Sequence, residues 1–189
     1  MMTSDFTSLA GHFLIAMPTM TDPAFSKSVV YLLAHDQEGA LGLIINRHSG
    51  LTLTDVLEQL QPEDSVIDAA HNQDIFSGGP VQTQLGFVLH NHGPQYKGTT
   101  LFPELALTAS QDALQAIAQG SGPAQNLIAL GHAGWGAGQI EDELRDNAWL
   151  SCPADIKIIF ETPIEERRSA AAALLGVDLD RLSHQVGHA

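Results

Sequence analysis

The first third of the chain is built of short apolar runs rather than helical stripes. His12–Met17 (HFLIAM) predicts a strand stopped by Pro18, and Ser28–His35 (SVVYLLAH) predicts a second. The second run is almost continuously apolar and rich in β-branched residues, the pattern of a strand buried on both faces. Asp22-Pro23 marks a turn between them. Four residues, Asp36–Gly39, connect the second run to a third, Ala40–Asn46 (ALGLIIN), so the pair reads as a β-hairpin. The period then changes. Leu53, Val56, Leu57 and Leu60 recur at helical spacing, with Thr52 or Thr54 as a cap and Pro62 beyond the end.

Residues 61–74 are polar and read as a loop, and Gly78-Gly79-Pro80 as a sharp turn before a strand over Leu85–His92. Residues 94–107 read as irregular. Ser110–Gln119 carries the stripe Ala113, Leu114, Ile117 and Ala118 between a capping Thr108 or Ser110 and Gly120, which predicts a helix. Leu127–Leu130 reads as a buried strand feeding a glycine-rich turn, Gly131 to Gly138, and Gln139–Arg145 as one or two helical turns. Ala148–Cys152 and Ile156–Phe160 suggest short strands. Thr162-Pro163-Ile164-Glu165 has capping-box spacing and opens a helix to about Leu175, closed by Gly176. One more helical turn is expected in the tail. Hairpins and helices mix without strict βαβ alternation, so the expected class is α+β: a mixed or antiparallel sheet with flanking helices. Residues 1–10 read as a flexible lead-in and 11–189 as a single domain.

Composition narrows the function more than the fold. With 22 acidic against 8 basic residues the net charge is −14. Direct nucleic-acid binding needs clustered Lys and Arg. Here only Arg167 and Arg168 are adjacent, so DNA is a disfavoured partner. An anionic membrane surface is disfavoured for the same reason. The one cysteine, Cys152, permits no intrachain disulfide. No targeting signal and no apolar run of membrane-spanning length is visible, and the expected compartment is the cytoplasm.

The candidate chemistry falls in a few places, each with a plain structural alternative. Gly134-Trp135-Gly136 with Gln139 and Glu141 could build a ligand site, with Trp135 as a stacking surface. Equally, Trp135 is a core anchor and the carboxylates complement a helix start. On a helix Gln139 and Glu143 share a face, as do Glu141 and Arg145. Ser77-Gly78-Gly79-Pro80 could present backbone N–H groups, or simply turn the chain. Asn46 could bind a ligand or cap a turn, and Arg47 could grip an anion or sit at the surface. His90 and His92 point to one strand face, but no HExxH and no CxxC accompanies them, so no metal and no cofactor is expected. Cys152 lies in an apolar context and reads as an inert thiol.

Several segments taken together, GHFLIAMPTMTDPAFSKSVVYLLAH (11–35), GALGLIINR (39–47), SGGPV (77–81), GFVLH (86–90), LGHAGWGAGQIEDEL (130–144), NAWL (147–150) and the terminal GHA (187–189), resemble the YqgE/AlgH family of bacterial proteins of uncharacterised function. The resemblance implies a bifurcated, barrel-like mixed sheet with flanking helices and no established enzymatic activity. The AlgH name implies a link to transcriptional regulation, expected here to act through a partner. The family pattern covers Asp22, Pro23, Asn46, Arg47, Gly78, Gly79, Pro80, His90, Gly134, Trp135, Gly136, Gln139 and Glu141, without assigned roles. The chain departs from it at His132, where Tyr is usual, at His48, where Pro is usual, and at Arg168, where an aromatic is frequent. The leading expectation is a cytoplasmic ligand-binding or regulatory protein, its partner a small molecule or another protein. The candidate site comprises Asn46, Arg47, Gly78–Pro80, His90, Gly134–Gly136, Gln139 and Glu141. The alternatives are a metal-assisted hydrolase using Glu141 and Glu143 with His90 or His132, and a direct DNA-binding regulator.

Overall fold

The computed structural model describes residues 5–60 and 71–186. The terminal GHA motif and most of the loop expected over 61–74 lie outside the described residues. The chain divides into two units, Met1–Asn46 with Ala133–Ala189, and Arg47–His132.

In the first unit β1 (His12–Ala16), β2 (Val29–Asp36) and β3 (Gly39–Ile44) form an antiparallel meander. β10 (Trp149–Pro153) pairs antiparallel with β1 on its outer side. β9 (Asn126–Gly136) enters this unit with its last residues, pairing Ala133–Gly136 with Gly42–Gly39 of β3. The expected hairpin is present, with Asp36 opposite Gly39. Val29 to Leu33 are all buried, as an uninterrupted apolar run requires. One face packs Leu14, Val30, Leu32 and Ile44 with Trp135, Trp149 and Ile140. The sheet is also packed by α5 (Arg167–Ala173), which touches β1 and β2. Here α5 buries Ala171 and Ala172.

Two side chains dock that helix by its cations. Arg167, buried, donates from Nη1 to Ile45 O at 2.6 Å and from Nε to Thr162 O at 2.9 Å. Arg168 donates from Nη2 to Ala16 O at 2.9 Å. Burial holds both guanidinium groups below their ordinary pKa, partly opposed by Glu165 and Asp180 respectively.

In the second unit the first part of β9 pairs antiparallel with β6 (Val81–Asn91), which carries β8 (Leu105–Thr108) and then β7 (Thr99–Leu101). β5 (Asp74–Ser77) runs parallel to β9 and antiparallel to β4 (His48–Thr52). β9 is therefore the strand at which the pairings fork, in keeping with the mixed, bifurcated sheet expected of this sequence. Helices α1 (Leu53–Leu60) and α2 (Gln111–Ala118) bury Leu53, Leu57, Leu114 and Ile117 with Ile75, Val88 and Ile128. Thr52 caps α1: its N–H and hydroxyl both donate to Asp55 Oδ2, at 2.8 and 3.0 Å. Ser110 stands at the N-cap of α2, but its side chain makes no capping bond.

Four local expectations need correction. The glycine stretch 131–136 is not a turn but the second half of strand β9. Ala133 and Trp135 are buried while Gly134 and Gly136 are exposed, which is the two-residue period of a strand. Residues 94–107, expected to be irregular, contain β7 and the start of β8. Ile156–Phe160 is a helix, α4, because Asp155 caps it, accepting from Lys157 N–H at 3.0 Å. The helix expected from the capping box at Thr162 begins as a 3₁₀ turn, Ile164–Glu166, with no side-chain cap. The tail holds α6 (Leu179–Val186). Among the described residues no helix is long and apolar enough to cross a membrane.

Candidate functional site

A connected polar group of the first unit is built on α3 (Gln139–Arg145), which follows the left-handed Gly138. Gln139 Oε1 accepts from Gly136 N–H at 3.0 Å, and its amide donates to Glu143 Oε1 at 2.9 Å, so the expected i,i+4 pair forms. The other oxygen of Glu143 accepts two indole N–H groups, Trp135 at 3.0 Å and Trp149 at 2.8 Å. Phe25 lies against both rings, with centroids at 5.8 and 5.6 Å. Trp135 is thus buried at the centre of a carboxylate-tied aromatic core and offers no free stacking face.

Glu141 faces elsewhere. The expected pair with Arg145 does not form; Arg145 bonds Asp142 at 2.8 Å instead. Glu141 Oε1 meets His35 Nε2 at 2.9 Å, across 106 residues of sequence. The other ring nitrogen of His35, Nδ1, takes the backbone N–H of Leu9 at 2.9 Å. An N–H donor at Nδ1 makes that atom an acceptor, so the proton of neutral His35 sits on Nε2 and is donated to Glu141. Ser8 Oγ adds a bond to His35 O at 2.7 Å, and the Phe6 ring meets the imidazole edge-on at 5.0 Å. Phe6, Ser8 and Leu9 of the lead-in are therefore fastened to the end of β2. Between them, Gly138 and α3 lies a cleft of about 660 Å³ lined by Phe6, Leu9, His35, Gln37, Glu141 and Leu144, among others. The His35 side chain is 2% exposed and that of Glu141 36%.

The remaining candidates divide between the units. In the first, Asn46 clamps a turn: Val29 N–H donates to its Oδ1 at 2.8 Å and its amide donates to Lys27 O at 2.9 Å. Lys27 there has φ +60°. In the second lie Arg47, Gly78, Gly79, Pro80 and His90. The Gly78 N–H donates to Leu130 O at 2.8 Å, and Gly79 packs its carbonyl against Gly131 so closely that a Cβ there would collide with it. These glycines make a close strand contact, and the N–H of Gly78 is already spent.

His90 is fully buried and both ring nitrogens are engaged, Nδ1 with Asn91 O at 2.9 Å and Nε2 with Thr108 Oγ1 at 2.8 Å. The carbonyl can only accept, so Nδ1 carries the proton and Thr108 donates to Nε2. Thr99 Oγ1 then donates to Thr108 Oγ1 at 2.7 Å and itself accepts from Tyr96 N–H at 2.8 Å. This is a satisfied structural chain. Among the described residues no three His, Cys, Asp or Glu side chains gather as a metal site. Of the residues the hydrolase alternative names, His90 and Glu143 have their polar atoms committed to the fold, whereas Glu141 bonds His35 and His132 keeps a buried Nδ1 without a partner. The second unit also carries an apolar groove of about 710 Å³ among Leu51, Val56, Leu85, Leu114 and Leu130.

Residues 13–180 match the family model described as AlgH-like. The chain belongs to the AlgH-like family. It is 57% identical to the UPF0301 protein AlgH of Pseudomonas aeruginosa over 189 residues, the whole of both chains. A UPF0301 protein of Stutzerimonas stutzeri is 56% identical over 181 residues, 96% of each. The solution structure of the P. aeruginosa AlgH protein superposes with a TM-score of 0.80 over the whole of both chains. A crystal structure of a Corynebacterium diphtheriae protein, 18% identical, gives 0.71 over 94% of this chain and 93% of that one, and shares the fold alone.

Within the AlgH-like pattern most residues now have structural work. Asp22 Oδ1 takes the Ala24 N–H at 2.9 Å, Asn46 clamps β2 to the turn before it, and Trp135 and Gln139 meet on Glu143. The Glu141 side chain opens on a cleft. Of the departures, Arg168 donates to Ala16 O at 2.9 Å. His132 sits edge-on to Phe87 at 5.5 Å with its Nδ1 buried and unpartnered, and burial lowers its pKa. The sequence reading missed His35, Phe6 and Gln37 as site residues. No local signal marks them: His35 reads as a strand end, and its partner is 106 positions away.

Proposed function

We propose that this AlgH-like chain is a binding protein without chemistry of its own, whose ligand occupies the His35–Glu141 cleft of the first unit. Its regulatory effect passes through a protein partner. The observation that carries this reading is the His35–Glu141 hydrogen bond of 2.9 Å beside a concavity with apolar walls. A buried imidazole that fixes a partly exposed carboxylate is a preorganised acceptor, and a few placed polar groups in an apolar pocket are what ligand sites consist of. The pair is not half of a nucleophile relay, because the nitrogen that would serve a hydroxyl is filled by Leu9 N–H. A net charge of −14 favours a basic partner over nucleic acid.

The test is an amide-resolved NMR titration of the full chain with mixtures of nucleotides, sugars, organic acids and amines. A ligand of this site moves the amide resonances of Leu9, Gly138 and Glu141. At about 100 times its dissociation constant it adds roughly 2.7 kcal/mol of stability, or about 5–10 °C in Tm. Shifts confined to other parts of the chain, or no shifts with any mixture, would refute the assignment.

A further inference from the structure

The walls of this cleft also select for charge. Because Leu9 N–H fixes Nδ1 as an acceptor, His35 presents its only proton to Glu141 Oε1. Glu141 therefore has one oxygen anchored, in a side chain 36% exposed to solvent. Asp5 brings a second carboxyl group to the lining, and among the described residues no Lys or Arg belongs to it. Phe6, itself 37% exposed, together with Leu9 and Leu144 supplies the apolar wall. An anionic ligand would meet two carboxylates without a counter-charge, and a neutral one would leave the anchored carboxylate without a matching charge. A protonated amine satisfies Glu141 by a charge-assisted hydrogen bond, and the Phe6 ring offers a cation–π face.

We propose that the His35–Glu141 cleft binds an organic cation, a primary amine or small ammonium compound carrying a short apolar body. The inference rests on the reading of this cleft as the binding site and adds the class of ligand. Glu141 is the charge-reading residue, His35 the positioning residue that holds it, and Asp5 a supporting charge.

The experiment uses the full chain and four probes: 2-phenylethylamine and choline as cations, 2-phenylethanol as the neutral isostere, and 3-phenylpropanoate as the anion. Affinities are read from the amide shifts of Leu9, Gly138 and Glu141. At least one cation is expected to bind about tenfold or more tightly than the alcohol and the acid. Glu141→Gln, whose amide oxygen still accepts from His35, is expected to lose about tenfold in cation affinity while keeping the wild-type spectrum elsewhere. Asp5→Asn, on an exposed residue, is expected to lose a few-fold and guards against a folding defect in the first variant. If the alcohol or the acid binds at these amides as well as the cations do, the charge selection is wrong and the cleft reading survives. If Glu141→Gln leaves cation affinity unchanged, the role given to Glu141 is wrong. If none of the four probes moves these amides at millimolar concentration, while a compound in the broader titration does, only the cation inference falls. If nothing in either set does, both fall.

Discussion

Glu143 offers the sharpest quantitative test of how the first unit is held together. One of its oxygens accepts from two buried indoles, Trp135 at 3.0 Å and Trp149 at 2.8 Å, which are 6% and 3% exposed. The other accepts from Gln139 at 2.9 Å. Glu143→Ala leaves two buried N–H donors without partners. A hydrogen bond to a charged group contributes about 1.5–3 kcal/mol, and an orphaned buried donor costs about 1–3 kcal/mol. The two bonds share one oxygen and water can enter the space vacated by a half-buried side chain, so they do not add in full. A net loss of roughly 3 kcal/mol is expected, and for a chain of this size a fall in Tm of about 6–12 °C. Glu143→Gln keeps an acceptor oxygen for both indoles but loses its charge and turns an amide toward Gln139. It should cost about 1 kcal/mol. Urea titrations followed by tryptophan emission and near-ultraviolet circular dichroism would measure both. If Glu143→Ala costs under about 0.5 kcal/mol, or Glu143→Gln costs as much as the alanine, the carboxylate is not the tie described above. A double-mutant cycle with Trp149→Phe isolates the pair, and a coupling near zero would refute the tie on its own.

Further predictions follow from single positions. Gly131 has φ +75° and no room for a Cβ against Gly79 O, so Gly131→Ala should cost roughly 3 kcal/mol or more, whereas Gly136→Ala, which meets open space, should lie within about 0.5 kcal/mol of wild type. Burial depresses the pKa of His132 below 6.5, so the unfolded chain takes up the proton first. The stability this group protects is present above pH 6.5 and is lost as pH falls through its lower folded value. The urea midpoint of His132→Tyr should accordingly fall less between pH 8 and about pH 5 than that of wild type. Cys152 is 3% exposed with its thiol pKa raised by burial, so iodoacetamide should label it only at the rate of unfolding; rapid labelling of folded protein would contradict its placement.

Much of the fold was legible because its signals are local. The hairpin of β2 and β3, the stripe of α1 and the stripe of α2 each lie within one window of sequence, and the structure places them within a residue or two of expectation. The glycine stretch misled for a physical reason. Glycine has low strand propensity and marks turns, yet here Ala133 and Trp135 supply the buried alternate positions and pairing with β3 supplies the hydrogen bonds. Of the four glycines in the stretch, Gly131 and Gly138, with φ +75° and +73°, take the left-handed conformation, while Gly134 and Gly136 do not. The helix α4 was missed because its apolar residues fit strand and helix alike over five positions, and the cap at Asp155 decides between them.

The proposed site is legible in one residue of its pair. Glu141 was a candidate, but its neighbours in sequence suggested Arg145 and a helix-surface role. Tertiary structure replaced that partner with His35, because β2 ends where α3 begins its first turn and residue 9 is bonded to the same ring. The residues around Glu141 then sort by whether their polar atoms are already spent. Those of Gln139, Glu143, Asn46 and His90 are used inside the fold. Glu141 has one oxygen used, and it is both anchored by a buried partner and open to a cleft. That difference, more than membership of a sequence pattern, separates a residue kept for architecture from one available to a ligand. It predicts that substitutions at Glu143 will read out as stability and those at Glu141 as binding.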